Sequence, residues 1–279
     1  MNSEIPGCNY RRGVAMKSFY MEKGLNAETY DVYHESMGPL EGDIEFYKSW
    51  ARRMKGPVLE IGCGTGRILL EIAKTGIEIV GLDLSKAMLR ILDSKRLSLP
   101  VEIRNLVSLV NADMTEFNLR REFPLIIIPF RAWQVILTPE NQRRSLLAIR
   151  QHLTDEGRLI IDIFDPRLDF CLPGKRDMSS LDRKIKHPKS GNDILTRIPE
   201  HFNDTLNQVI NEKWEFTELD AKGNVLRVEE EDLKIRWTYR WEMRHLFELT
   251  GFKVENEYSD FKGSPPDYGK EQLWVVRKS

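Results

Sequence analysis

Only three cysteines, Cys8, Cys63 and Cys171, occur in the 279 residues. No pair of them has Cys-x-x-Cys spacing and none is grouped with histidine, so no zinc site is expected. A sparse, odd set also suits a reducing compartment. No apolar run is long enough to span a bilayer, and Met1–Tyr10 carries no apolar signal core. These absences point to a cytoplasmic protein with no membrane partner. Excess charge of one sign is also missing: 42 basic and 43 acidic residues leave a formal net charge of −1. Such a balance supplies no global field for a nucleic-acid backbone, which disfavours nucleic acid as a partner. No internal repeat or low-complexity segment is evident. With 41% hydrophobic and 30% charged residues, the chain is expected to be globular. Its length accommodates one large α/β domain, or a core with a sizeable insertion.

The periodicity divides the chain. Residues 27–54 read as helical, rich in aromatics and broken near Met37-Gly38-Pro39. Strands are then expected at Pro57–Ile61, Glu78–Leu82, Leu106–Asn111, Leu125–Ile128 and Arg158–Phe164, alternating with helices. Ser85 reads as one N-cap. Thr138 reads as another, with Pro139 at the first helical position. The Asp155-Glu156-Gly157 turn is expected to precede the fifth strand. Strands alternating with helices imply a mostly parallel sheet covered on both faces. From Pro166 to about Arg236 the helical period fades. Strands there are expected around Ile194–Phe202, Val209–Leu219 and Val225–Trp237, an inserted antiparallel sheet. A helix at Tyr239–Thr250, stopped by Gly251, leads to two last strands, Phe252–Tyr258 and Gln272–Arg277. These two can pair directly, the last strand running antiparallel to the rest.

The chemistry begins at Glu60-Ile61-Gly62-Cys63-Gly64-Thr65-Gly66-Arg67. A strand ends there, turns through glycines and enters a helix, at the point of an open α/β sheet where ligands bind. Glycines let a ligand approach the backbone, and amides at a helix N-terminus suit an anionic group. A dinucleotide fingerprint requires Gly-x-Gly-x-x-Gly, but here the glycines fall at 62, 64 and 66 and position 67 is arginine. Asp83 stands at the tip of strand two, where a carboxylate can accept bonds from ribose hydroxyls. Asn111-Ala112-Asp113-Met114 follows strand three.

Together these three tips resemble the successive motifs of class I S-adenosylmethionine-dependent methyltransferases. The resemblance covers roughly residues 27–165 and 236–278. It implies a seven-stranded Rossmann-like α/β sheet with its last strand antiparallel, carrying the inserted β-sheet, and S-adenosylmethionine as cofactor, with S-adenosylhomocysteine as product. By this resemblance Glu60, Gly62 and Gly64 hold the methionine end of the cofactor and Asp83 the ribose, with Tyr30, Cys63 and Gly66 also among the cofactor-binding residues. Leu84 and Met88 flank the adenine, with Asp113 and Met114 at its polar edge. Phe130 and Arg131, after strand four, lie beneath the sulfonium. The Tyr30–Tyr33 helix is similar to the N-terminal cover of small-molecule N- and O-methyltransferases, including sugar N-methyltransferases. The corresponding organisation is a cover over residues 1–56, a core of 57–165 and 238–279, and an inserted region of 166–237 that covers substrate or contacts another protomer. Many members carry histidine shortly after strand four. This chain has Gln134-Val135, so no general base transfers from them.

The substrate-pocket candidates are Tyr33, His34, Arg131 and Trp133. Cys63, between motif glycines, reads as a small buried side chain rather than a nucleophile. His152 suits a helix C-terminus, His245 a surface position, and Asp165 a loop cap. The Glu229–Asp232 run reads as a solvated strand face. The expected reaction is methyl transfer to N or O of a small molecule, with a homodimer as a further possibility. The alternatives are a non-catalytic cofactor binder that regulates a partner, a methyltransferase acting on a macromolecule, and a nicotinamide oxidoreductase whose fingerprint is absent. No Asn/Asp-Pro-Pro-aromatic segment follows strand four, and no cysteine does, which disfavours nucleic-acid base methylation.

Overall fold

The computed structural model describes residues 17–37, 40–169 and 171–279. The expected N-terminal arm before residue 17, Cys8, and Gly38–Pro39 lie outside them. The chain begins with β1 (Lys17–Ser18), α1 (Leu25–Met37), α2 (Asp43–Met54), β2 (Val58–Ile61), α3 (Leu69–Ala73) and β3 (Ile79–Asp83). It continues through α4 (Lys86–Leu97), α5 (Val101–Arg104), β4 (Val107–Asn111), β5 (Phe123–Ile128), α6 (Pro139–His152) and β6 (Leu153–Phe164). There follow β7 (Gly174–Lys175), β8 (Arg183–Lys186), β9 (Asp193–Asp204), β10 (Val209–Leu219) and β11 (Val225–Arg236). The last elements are α7 (Arg240–Leu249), β12 (Phe252–Tyr258) and β13 (Glu271–Lys278).

The central sheet has seven strands in the order β12-β13-β6-β5-β2-β3-β4. Pairing is parallel from β6 to β4, and β13 alone runs opposite, antiparallel to both β6 and β12. Strand order reverses between β2 and β5, which opens a crevice at their C-terminal ends. The sheet is apolar on both faces because alternate residues of each strand point oppositely. Ile126 and Ile128 join the layer under α6 and α7 with Phe247 and Trp274. Leu125 and Ile127 join the layer under α2, α3 and α4 with Tyr47, Trp50 and Leu92.

Local signals set the ends of elements. The Ser85 hydroxyl accepts from the Met88 N–H and the Thr138 hydroxyl from the Asn141 N–H, each capping its helix. Gly251, at φ 78°, ends α7. Two expectations need correction. The Asp155–Gly157 turn does not precede a strand; it is a bulge within β6. Phe123 pairs with Leu153 while Leu125 pairs with Arg158, so extra residues are extruded from the ladder. The helix after the glycine turn is only five residues long, shorter than the helical stretch expected there.

The second sheet stands apart, ordered β1-β11-β10-β9-β7 with β8 also on β9. Its three long strands are the expected ones, whereas β1, β7 and β8 are additions. Helix α1 packs on it through Leu25, Tyr33, Ile194, Phe216 and Trp214. Among the described residues no helix is long and apolar enough to cross a membrane, and no cluster of metal-ligating side chains is found.

Candidate functional site

The crevice at the strand tips is built first from backbone. The Gly62 and Cys63 N–H groups both donate to the Leu82 carbonyl, at 2.7 and 3.2 Å, tying the glycine loop to the end of β3. Gly62 has φ 72°, and a Cβ there would stand 2.5 Å from the Ala132 Cβ and 3.9 Å from the Met114 methyl. No larger residue fits. Gly64 has φ 51° with nothing within 4 Å of its Cβ position, so this part of the loop borders open space. Cys63 is buried and packs toward Gly81; burial and the nearby acids hold its thiol well above the usual range. A thiol held protonated is no nucleophile.

Charged groups line the same crevice. Glu60, near the end of β2, is buried, and its Oε2 has no hydrogen-bond partner among the described residues. Burial raises its pKa well above the carboxylate range, with Asp83 and Asp43 adding to the rise and Arg67 opposing it. Arg67 donates through Nη2 to the buried Asp43, while its buried Nη1 has no partner among the described residues. An orphaned acceptor and an orphaned donor thus share one crevice, each costly unless a ligand completes it. At the tip of β3, Asp83 accepts from the Gly64 N–H at 2.7 Å and the Ser85 N–H at 2.8 Å. Its pKa is raised by burial, against the pull of those donors. Asn111 braces this tip from β4 by donating to the Asp83 and Leu84 carbonyls. Leu84 is half exposed beside it; Met88 is buried with Ala27 and Ala87, against Tyr20 and Tyr30. Asp113 is an exposed turn acid whose Oδ1 accepts from the Thr115 N–H and hydroxyl.

Helix α1 closes over the loop. Asp31 accepts from the Thr65 hydroxyl at 2.6 Å and pairs with Lys95 at 2.6 Å. Tyr30 stands edge-on to Tyr20 and 4.2 Å from the His34 ring. Burial raises its phenol, and the charges acting on it include Arg67, Asp83 and Glu60. His34 in turn lies edge-on to Phe130 at 4.9 Å, and the Arg67 guanidinium covers the other part of that ring at 4.7 Å. Burial, then the Arg67 charge, lowers His34 to about 4, so the imidazole is neutral at pH 7.

Phe130 and Arg131 form the β5 tip, both left-handed at φ 56° and 62°. Asp162, fully buried in β6, accepts from both of their N–H groups, at 2.9 and 3.1 Å, and from the Tyr47 hydroxyl of α2. Burial, then the Glu271 charge, raises Asp162 to about 7 against these donors. The Arg131 side chain points away from the glycine loop and pairs with Glu271. It walls a cavity of about 530 Å³ with Phe164, Asp165, Ile235 and Ser259, whose buried hydroxyl lacks a partner among the described residues.

The structure therefore brings Tyr30, Glu60, Gly62, Gly64, Asp83, Met114, His34 and Phe130 to one crevice. Other expectations fall differently. Trp133 is not a pocket wall: the 3₁₀ turn Ala132–Val135 rotates it into the core, where it is fully buried. Tyr33 is buried between α1 and the second sheet, 5.7 Å from Trp214. The Glu229–Asp232 run is not a solvated face. Glu229 accepts from the Leu25 N–H, and Glu231 from the Tyr20 N–H and the Asn26 amide. These alternate acids are buried and hold the start of α1. Gln134 is also structural, accepting from the Phe164 N–H and donating to the Arg236 carbonyl. His152 accepts from the Leu119 N–H and is structural. His245 is exposed. Asp165 caps a loop through the Gly269 N–H. Sequence reasoning missed Arg67, Asn111 and Asp162. Only Asp162 left a signal, as the sole acid within the apolar run Leu159–Phe164.

Residues 58–157 match the family model described as methyltransferase domain. The cypemycin N-terminal methyltransferase of a Streptomyces species is 27% identical over 149 residues, 53% of this chain and 58% of that protein. The chain thus spans little more than half the length of this relative. Among solved structures, the CcbJ methyltransferase from Streptomyces caelestis superposes with TM-score 0.75 at 21% identity, over 94% of this chain and 98% of that one. CalS10, an amino pentose methyltransferase from Micromonospora echinaspora solved with bound S-adenosylmethionine, gives TM-score 0.66 at 20% identity, over 92% and 100%. At such identities the structural agreement is one of fold. Residues 58–157 thus match a methyltransferase domain, and the chain as a whole shares the fold of solved S-adenosylmethionine-dependent methyltransferases.

Proposed function

We propose that this protein transfers a methyl group from S-adenosylmethionine to a nitrogen or oxygen atom of a small molecule. The observation that carries the proposal is the unsatisfied pair in the crevice, Glu60 Oε2 and Arg67 Nη1. An amino-acid end bears both an ammonium and a carboxylate, and these are the two groups that this acceptor and donor would complete. Asp83, on the next tip, suits ribose hydroxyls, and the open face of Gly64 admits a ligand to the backbone. Leu84 and Met88, which follow Asp83, and Asp113 and Met114, which follow β4, are read as the adenine's surroundings. Once bound, the cofactor supplies the activated methyl carbon.

The chain's own residues must bind, align and exclude water. Positioning alone is large, with effective molarities of roughly 10⁵ M and above. Helix α1 is read as the cover, held down by Asp31–Thr65 and carrying Tyr30 and His34 over the crevice. The inserted region, residues 166–237, is read as the outer wall of the acceptor site, with Arg131 and Phe130 beneath. A neutral His34 beside Phe130 is available to accept a proton from a protonated acceptor, although its low pKa makes it a weak base. An amino pentose methyltransferase and the cypemycin N-terminal methyltransferase are among the similar proteins, which favours an amine acceptor.

The test is incubation with methyl-labelled S-adenosylmethionine and a panel of amino sugars, amines and peptides. Label entering a small-molecule fraction is the expected result. Tight binding of S-adenosylhomocysteine with no transfer to any acceptor would favour a cofactor-dependent regulator instead.

A further inference from the structure

Asp162 is an expensive residue at its position. It lies within the run Leu159-Ile160-Ile161-Asp162-Ile163, fully buried, where a carboxylate is retained only if its lone pairs are filled. Three donors fill them: the Tyr47 hydroxyl, the Phe130 N–H and the Arg131 N–H. The two amides belong to consecutive non-glycine residues in left-handed conformation, which L residues adopt only when their surroundings impose it. Successive N–H groups in such a turn converge on one acceptor group; here that group is the protein's own carboxyl.

The consequence is directional. The held backbone sends Phe130 toward Arg67 and His34, over the glycine loop. It sends Arg131 the other way, to Glu271 and the 530 Å³ cavity. We infer that Asp162, fixed by Tyr47, is a positioning residue for methyl transfer, aiming Phe130 at the donor side and Arg131 at the acceptor side of the β5 tip. This rests on the methyltransferase reading, in which that tip lies beneath the sulfonium. A purely structural Asp162 would serve only to satisfy two buried amides and would leave the transfer point indifferent to its charge.

Two ligands separate these roles. S-adenosylhomocysteine leaves the methyl position empty, whereas sinefungin places an amine there. Asp162→Asn keeps the side-chain shape but converts one acceptor oxygen into a donor, so one of the two amides loses its partner. Tyr47→Phe removes the third donor and leaves the carboxylate, a milder change should the first variant fold poorly. Calorimetric titration of both ligands into wild type and each variant reads the difference. The expected result is a sinefungin affinity lowered about tenfold or more in Asp162→Asn and about threefold in Tyr47→Phe, with S-adenosylhomocysteine affinity changed less than about twofold. Equal losses for both ligands, or no loss for either, would overturn the inference while leaving the methyltransferase reading intact. Wild-type protein that binds neither ligand would overturn the reading and the inference together.

Discussion

The two sheets both bury acids, yet use them in opposite ways. In the central sheet, Glu60 ends in the crevice with an oxygen that no residue of the described chain satisfies. In the second sheet, Glu229 and Glu231 are also buried, and their carboxylates accept N–H donors from the start of α1 and from Tyr20 just before it. An acid that accepts its own chain's N–H groups is a joint between elements; Glu60 accepts none of the hydrogen bonds found among the described residues and borders the open backbone of Gly64. The sheets differ in writing as well. The central one is nearly continuous apolar strand with its recognition placed at the tips. The second alternates, and much of its inner face is polar: Thr196, His201, Asn203, Glu212, Glu229 and Glu231 are all buried.

The most severe test of this contrast removes a joint. Glu231→Ala strands two donors, the Tyr20 N–H and the Asn26 amide. Chemical unfolding should show a loss of about 3–5 kcal/mol, the usual range when one partner of a buried charged network is deleted. Hydrogen exchange should rise in α1 while β2, β3 and β5 stay protected. Uniform loss of protection would mean that α1 and the core are one cooperative unit, and that Glu231 is not a local joint.

A second test strikes the backbone at the crevice. Gly62→Ala places a methyl 2.5 Å from the Ala132 Cβ, on a residue at φ 72°, so either the glycine loop or the β5 tip must move. Affinity for S-adenosylhomocysteine should fall on the order of a hundredfold, about 2.7 kcal/mol. An unchanged dissociation constant would place the ligand elsewhere. Asp83→Ala is milder. It removes a charged acceptor at the β3 tip, and at least a roughly tenfold loss of affinity is expected with the fold retained. The same titration decides it, and unchanged affinity would remove Asp83 from the site.

What was legible in the sequence follows from the same division. Hydrophobic runs bounded by glycine, proline and cap residues place every strand of the central sheet, and the tip residues Glu60, Gly62 and Asp83 come with them. Period-two alternation places the three long strands of the second sheet. The two-residue strands β1 and β7 were not legible, because a strand that short carries no period. Nor was the direction of Trp133. It sits beside a tip in sequence, and the 3₁₀ turn that buries it depends on the left-handed Arg131, itself held from 31 residues away. Glu229 to Asp232 misled because charge in a run suggests solvent. The alternation within the run pointed inward at every second residue, but its partners lay about 200 residues distant. Arg67 and Asp162 share that difficulty, since their roles are defined by Asp43, Tyr47 and a backbone turn.

The smallest expected effect gives the sharpest comparison, because its two readouts should move in opposite directions. Glu60 has its pKa raised well above the carboxylate range, chiefly by burial. A group whose folded pKa exceeds its unfolded value contributes stability below the unfolded pKa, and that contribution is lost as pH rises through the folded one. Ionising Glu60 in the ligand-free protein therefore costs stability progressively toward alkaline pH. Glu60→Gln removes that cost, and the ligand-free variant should gain on the order of 1 kcal/mol over wild type. The gain should widen as pH rises out of the ordinary carboxylate range. Binding should go the other way, with S-adenosylhomocysteine affinity reduced about tenfold, because an amide offers its ammonium no countercharge. Glu231→Gln in the second sheet should instead lower stability, since the chain's own donors lose their charged acceptor. Thermal unfolding from about pH 4 upward, run on both variants without ligand, makes the comparison. If Glu60→Gln destabilises the ligand-free protein as Glu231→Gln does, Glu60 is a joint like the others, and the crevice loses the group expected to hold the cofactor's ammonium.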